Sequence, residues 1–264
     1  METKDLIEFV NNPNFIPGIY NYCDRWCERC AFSDRCSVYA IEHDDDRTES
    51  NDVSNHGFCQ KLSSILTQTK ELILTWAKEH DVDLSEGAEE IENERTQRRK
   101  HVKSHRLAKT GERYASAVTA FFEKEFKTLD TVADTVETHS AIAEETDCIK
   151  DAIDVIQWYQ FFIVVKTMRG LMSRENEEAE ELWDHEDFKN SKDSDGSIKV
   201  ALIGIDRSVN AWRMLQLLRP EFIEAIAPLI ATLESLRKDT ELEFPHAREF
   251  IRAGFDEPEQ VMVN

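Results

Sequence analysis

The sequence predicts an all-α fold: a multi-helix bundle preceded by a small N-terminal four-cysteine module. Three observations carry that reading. Glycine and proline are scarce, 8 and 6 in 264 residues, too few for the many tight turns of a strand-based fold. From residue 60 onward apolar side chains recur at helical spacing. Four of the six cysteines fall within fourteen positions, 23 to 36. At roughly 150 residues per domain the length suits one to two domains, with a core that needs no disulfide staple. The expected division is 1–59 for the cysteine-rich module, 60–256 for the bundle and 257–264 for a tail. Between the clustered cysteines and Cys59, EHDDDRTESNDVSNHG has nothing to bury and reads as a connection.

The helices follow in order. Leu62, Ile65, Leu66, Thr69, Leu72, Ile73 and Trp76 make one apolar stripe that ends near His80. A second stripe is Leu107, Gly111, Tyr114, Val118, Phe121 and Phe122, with Ser104 as the expected N-cap. Residues 148–172 are apolar on nearly every side, which predicts a central helix surrounded by the others. Over 197–218 a large stripe (Ile198, Leu202, Ile205, Val209, Trp212) runs beside a small one (Ala201, Gly204, Ser208, Ala211). The small stripe predicts close approach of a second helix. Pro220 fits the first turn of the next helix, and Pro228 should kink it.

Charge excludes several function classes. Asp plus Glu number 53 against 32 Lys plus Arg, a formal net charge of −21. Such a surface repels phosphate backbones and anionic lipid, so nucleic acid is not an expected partner. The start, METKDLIEFVNNPNF, has neither a basic n-region nor an apolar h-region and predicts no secretory signal. The longest apolar run, 155–165, is interrupted by Gln157 and Gln160 and falls well short of the roughly 20 residues of a membrane span. The expected location is the cytoplasm. There thiols stay reduced, which turns clustered cysteines from disulfides into metal ligands.

The cluster is Cys23-x3-Cys27-x2-Cys30-x5-Cys36. If residues 22–31 are helical, steps of four and three put Cys23, Cys27 and Cys30 on one stripe, and a turn returns Cys36 to it. Four converging thiolates suit tetrahedral zinc or a [4Fe-4S] cluster. Arg25, Arg29 and Arg35 lie beside the thiols in sequence and offset thiolate charge. Cys-x3-Cys-x2-Cys resembles the cluster motif of radical S-adenosylmethionine enzymes, but those need a (β/α) barrel where this chain has helices. Cys27-x2-Cys30-x5-Cys36 resembles auxiliary [4Fe-4S] loops of redox and nuclease families, which implies a fourth ligand at Cys23 or, in reserve, Cys59. Iron–sulfur is favoured over zinc. Cys148, alone at the start of the most apolar segment, reads as a small hydrophobe and not a ligand.

The strings GIYNYCDRWCERC and AREFIRAGFDE resemble a group of uncharacterised bacterial proteins that pair this cysteine motif with a helical domain. The resemblance spans most of the chain and implies no activity.

Other constellations are weighed against plain structural roles. Glu94, His101 and His105 share a helical face, and the two histidines could grip one metal. Yet ENERTQRRKHVKSHR holds a single aliphatic residue, Val102, and reads as a solvated face. Its basic residues are expected to neutralise acidic neighbours. Paired Glu-x-x-His motifs of a di-iron bundle do not occur on an apolar stripe. Asp154, Tyr159, Lys166, Asp206 and Arg207 are the candidates for a polar pocket, although an ion-pair network explains such groups more often. Lys199, Asp206 and Arg213, seven apart, fit an exposed charge ladder. His80 and His139 read as core or rim histidines.

Two functional readings follow. One is a metal-binding cytosolic protein acting as a redox-sensing or interaction component, with a protein or redox partner. The alternative is a metal-dependent oxidoreductase with its active site in the bundle. The sequence leaves the oligomeric state open.

Overall fold

The computed structural model describes residues 12–43, 56–82, 88–133, 140–180 and 192–256. Their regular elements are α1 (Ser37–Glu42), α2 (His56–Glu79), α3 (Ala88–Ser104), α4 (Arg106–Ala133), α5 (Ser140–Glu180), α6 (Asp193–Leu218) and α7 (Ile223–Glu243). Single 3-10 turns occur at Cys27–Arg29, Ser33–Arg35, Pro220–Phe222 and Ala247–Glu249, and no strand occurs among the described residues. The fold class is all-α. No described helix is long and apolar enough to cross a membrane. The expected tail, 257–264, and His139 lie outside the described residues.

The chain forms two compact units. One is Met1–Tyr20 with Arg25–Gln97, the other Asn21–Asp24 with Arg98–Asn264. Position 59, where the sequence suggested a boundary, falls on the fourth residue of α2.

In the second unit α4, α5, α6 and α7 form a four-helix bundle: α5 packs along α6, α4 on α5 and α7, and α6 on α7. Its core is built from the predicted stripes. Leu107, Tyr114 and Val118 of α4 meet Ile156, Tyr159 and Ile163 of α5, Ile198, Leu202, Ile205 and Trp212 of α6, and Ile226, Leu233 and Leu236 of α7, all buried. The Trp212 ring packs edge-on to Phe121, with centroids 5.1 Å apart, and its Nε1–H donates to Tyr114 Oη at 2.9 Å. Burial pushes the Tyr114 phenol up to about 12. Gln160 is buried too, and its amide donates to Ala115 O at 2.7 Å and Thr119 Oγ1 at 2.6 Å, tying α5 to α4.

Small residues set the helix spacing. A Cβ on Gly204 of α6 would lie 2.9 Å from Tyr159 Cδ1, and one on Gly170 of α5 would lie 2.5 Å from Ile198 Cγ1. The two helices therefore approach as closely as backbone and side chain allow.

Several details differ from the sequence reading. Helix α5 is not surrounded: Trp158, Phe161 and Val165 form an exposed apolar stripe on it. Cys148, expected among apolar neighbours, is exposed. Ser104 is the last residue of α3, where its hydroxyl donates to His101 O; His105 caps α4 instead, its Nδ1 accepting the Leu107 N–H at 3.3 Å. Helix α6 starts at Asp193 because Glu177 accepts from both the N–H and hydroxyl of Ser194, at 2.9 and 2.7 Å. Acidic groups there also favour the positive end of the helix dipole. Pro220 opens the 3-10 turn before α7, and α7 continues through Pro228, whose missing N–H removes one i→i−4 hydrogen bond inside the helix.

Candidate functional site

Residues 22–31 are not helical. They run through turns into the 3-10 turn Cys27–Arg29. Arg25 adopts φ 59°, the left-handed region, which costs a non-glycine residue on the order of 1 kcal/mol and breaks any helix there. The single stripe expected of Cys23, Cys27 and Cys30 therefore does not form. A second 3-10 turn, Ser33–Arg35, leads into Cys36, which stands at the N-cap of α1. The loop is pinned by Ile16 N–H donating to Arg35 O at 2.9 Å, and by the Arg29 guanidinium 4.0 Å from the Trp26 ring centroid. Arg25, Arg29 and Arg35 are exposed.

Cys23, Cys27, Cys30 and Cys36 are all half-buried and form no disulfide. Cys27, Cys30 and Cys36 belong to the first unit, and Cys23 to the Asn21–Asp24 segment of the second. Cys30 Sγ accepts a backbone N–H from Phe32 at 3.4 Å. Among the described residues no three His, Cys, Asp or Glu side chains stand together in a metal-holding group. The donor set fits thiolate-only ligation, four cysteines on a short polar loop, and the side-chain arrangement does not display it. The side chain of the reserve ligand, Cys59, lies outside the described residues.

The polar candidates of the bundle separate into different places. Tyr159 and Arg207 come together, joined by a residue that sequence reasoning missed, Asp24. Its carboxylate accepts from the Tyr159 hydroxyl and from Arg207 Nη1, each at 2.5 Å, and Arg207 also donates to the Tyr159 hydroxyl. The Asp24 carbonyl accepts from Trp158 Nε1 at 3.1 Å. Burial, reinforced by the Asp24 carboxylate, pushes the Tyr159 phenol well above its usual value, while Arg207 acts the other way. The phenol thus stays protonated at neutral pH and serves as a donor. Asp206 is engaged elsewhere, accepting from Arg237 at 3.3 Å and Arg248 at 2.7 Å. Lys166 lies 5.4 Å from the Phe162 ring centroid, and Asp154 is exposed.

The same segment is anchored a second time. The Tyr22 hydroxyl donates to Asp193 at 2.9 Å, and its ring meets Phe250 edge-on, centroids 4.6 Å apart. Burial and Asp193 push the Tyr22 phenol up to about 12. Lys199 donates to Phe250 O at 2.5 Å and pairs with Asp256 at 2.7 Å, and Arg252 holds Asp256 bidentately at 3.0 Å. So the two strings that suggested a resemblance, around Tyr22 and around Phe250, meet at the start of α6. The expected ladder of Lys199, Asp206 and Arg213 is no ladder: the three reach Asp256, Arg248 and Glu234 respectively.

The histidines do not form a metal grip. His101 lies 3.7 Å from Glu175 and His105 3.0 Å from Glu243, two different carboxylates. Arg106 pairs with Asp239, and Arg98 donates to Asn176. That basic stretch neutralises acidic and polar neighbours. His80 is exposed and stacks on Trp76 with ring centroids 4.6 Å apart; Glu94 is exposed. In comparisons with known proteins, no family model, curated protein or solved structure matches this chain.

Proposed function

We propose that this chain is a cytosolic metal-binding protein in which Cys23, Cys27, Cys30 and Cys36 hold a [4Fe-4S] cluster, or failing that zinc, and that it acts as a redox-sensing or interaction component. The observation that carries the reading is the donor set: four half-buried cysteines outside any disulfide within fourteen positions, on turn and 3-10 backbone, one already accepting a backbone N–H. In metal-binding modules this small, binding and folding are one free-energy change, so the metal itself draws its ligands together. A bound cluster would supply one-electron chemistry, and zinc would supply a structural crosslink. Bundle residues hold the Asn21–Asp24 segment that carries Cys23. Tyr159 and Arg207 hold Asp24, next to Cys23, while Tyr22 on its other side is held by Asp193.

Anaerobic purification followed by a visible spectrum and elemental analysis tests the proposal. A brown protein whose visible absorption bleaches on reduction identifies iron–sulfur; a colourless one with stoichiometric zinc identifies the other metal. Protein lacking both in stoichiometric amount contradicts it.

A further inference from the structure

A cavity of about 510 Å³ opens to solvent on the second unit, within the range of about 300–1,000 Å³ of small-molecule sites. Helix α6 lines it with Asp206, Val209, Asn210 and Arg213, which share one face at steps of three and four. Arg237 and Glu241 come from α7, and Arg248 from the 3-10 turn Ala247–Glu249. Val209 alone among them is apolar, so the lining suits a polar ligand. Three guanidiniums face two carboxylates there, in a chain whose acids outnumber its bases 53 to 32.

Ion pairs fix these guanidiniums without exhausting them. Asp206 accepts from Arg237 Nη1 at 3.3 Å and from Arg248 Nη1 at 2.7 Å. Glu241 accepts from Nε and Nη2 of Arg248 at 3.0 and 2.8 Å. Glu234, outside the lining, accepts from Arg213 Nη2 at 2.6 Å. Arg213 and Arg237 thus each commit one nitrogen of a fork that carries five N–H donors. A fork already held on one side orders at little further cost.

We propose that this cavity binds a small dianion, a phosphomonoester or a dicarboxylate. Its oxygens take the remaining N–H donors of Arg213 and Arg237, with the Asn210 amide beside them. Planar guanidinium forks match phosphate and carboxylate alike. A concave cationic lining on an acidic protein also focuses its field toward an anion. Asp206, bound to two of the three arginines, is the ligand's competitor within the site. The inference is independent of the metal reading, and its test requires no metal.

Isothermal titration calorimetry of the full chain tests it, with glycerol 3-phosphate and succinate as probes in low-salt chloride buffer. Saturable binding is expected with a dissociation constant of about 1 mM or tighter. Binding of the ester alone supports a phosphomonoester, and binding of succinate alone supports a dicarboxylate. Arg213→Gln with Arg237→Gln should weaken binding about tenfold or more. Both side chains are partly exposed, so helicity should hold; if it falls, Arg213→Gln alone carries the same test. Asp206→Asn should tighten binding about fivefold by removing the competing charge. Arg99→Gln, an exposed residue of α3, should leave affinity unchanged. Binding of neither probe up to about 10 mM overturns the inference. So does binding that survives the arginine substitutions or weakens in Asp206→Asn.

Discussion

Gly196 sits where no side chain fits: a Cβ there would lie 2.4 Å from Tyr22 Cε1 and 2.8 Å from Phe250 Cζ. Neither ring can retreat freely, because the Tyr22 hydroxyl is held by Asp193 and the Phe250 carbonyl by Lys199. Gly196→Ala should therefore cost about 1–3 kcal/mol of stability, read from the denaturant midpoint. Asp256 makes a second prediction. Burial acts to raise its pKa, but hydrogen bonds from Arg252 and Lys199 outweigh that and hold the carboxyl far below the usual range. A depressed folded pKa stabilises above the unfolded value of about 4 and loses that stabilisation as pH falls below it. Asp256→Asn should cost about 1–2 kcal/mol at pH 7, discounted for partial exposure. The gap to the unaltered protein should narrow as unfolding curves are taken below about pH 4. Asp24 shows why such residues are hard to read in sequence. It looks like one more surface acid, and its partners Tyr159 and Arg207 lie 135 and 183 positions away.

Helices were legible wherever one face is apolar and one polar. The stripes of α4 and α6 predict the buried residues nearly one for one, because a 3.6-residue period leaves little choice of which side enters the core. Their ends were less legible. The start of α6 depends on Glu177, sixteen positions upstream of Asp193, and the start of α4 on a histidine acting as cap. The cysteine loop was misread as helical since its spacing permits a helix, whereas the left-handed Arg25 is set by the folded chain. Hydrophobicity also misled at α5, where an all-round apolar segment keeps Phe161 and Val165 61% exposed. Gln160, which interrupts the apolar run of 155–165, is buried with its amide hydrogen-bonded. Gln160→Leu removes its hydrogen bonds to Ala115 O and Thr119 Oγ1. It should cost about 1–3 kcal/mol, measured by chemical denaturation.

The four-helix bundle has a core of its own, centred on Trp212, Tyr159 and Ile205, whereas the loop of residues 12–43 buries only Ile19 and Ser37. The loop is therefore the part that gains most from a metal crosslink. Chelation should make the cysteine loop sensitive to protease while most far-ultraviolet helicity persists. Collapse of helicity across the whole protein would mean that loop and bundle form one cooperative unit. The central claim is that Cys23, Cys27, Cys30 and Cys36 bind metal. Its most direct test is iron and zinc per chain, determined on anaerobically purified protein and on two variants. The account predicts a stoichiometric metal content that is lost in Cys27→Ser with Cys30→Ser and retained in Cys148→Ala. Metal content unchanged by the Cys27 and Cys30 substitutions, or lost on replacing Cys148, would contradict it.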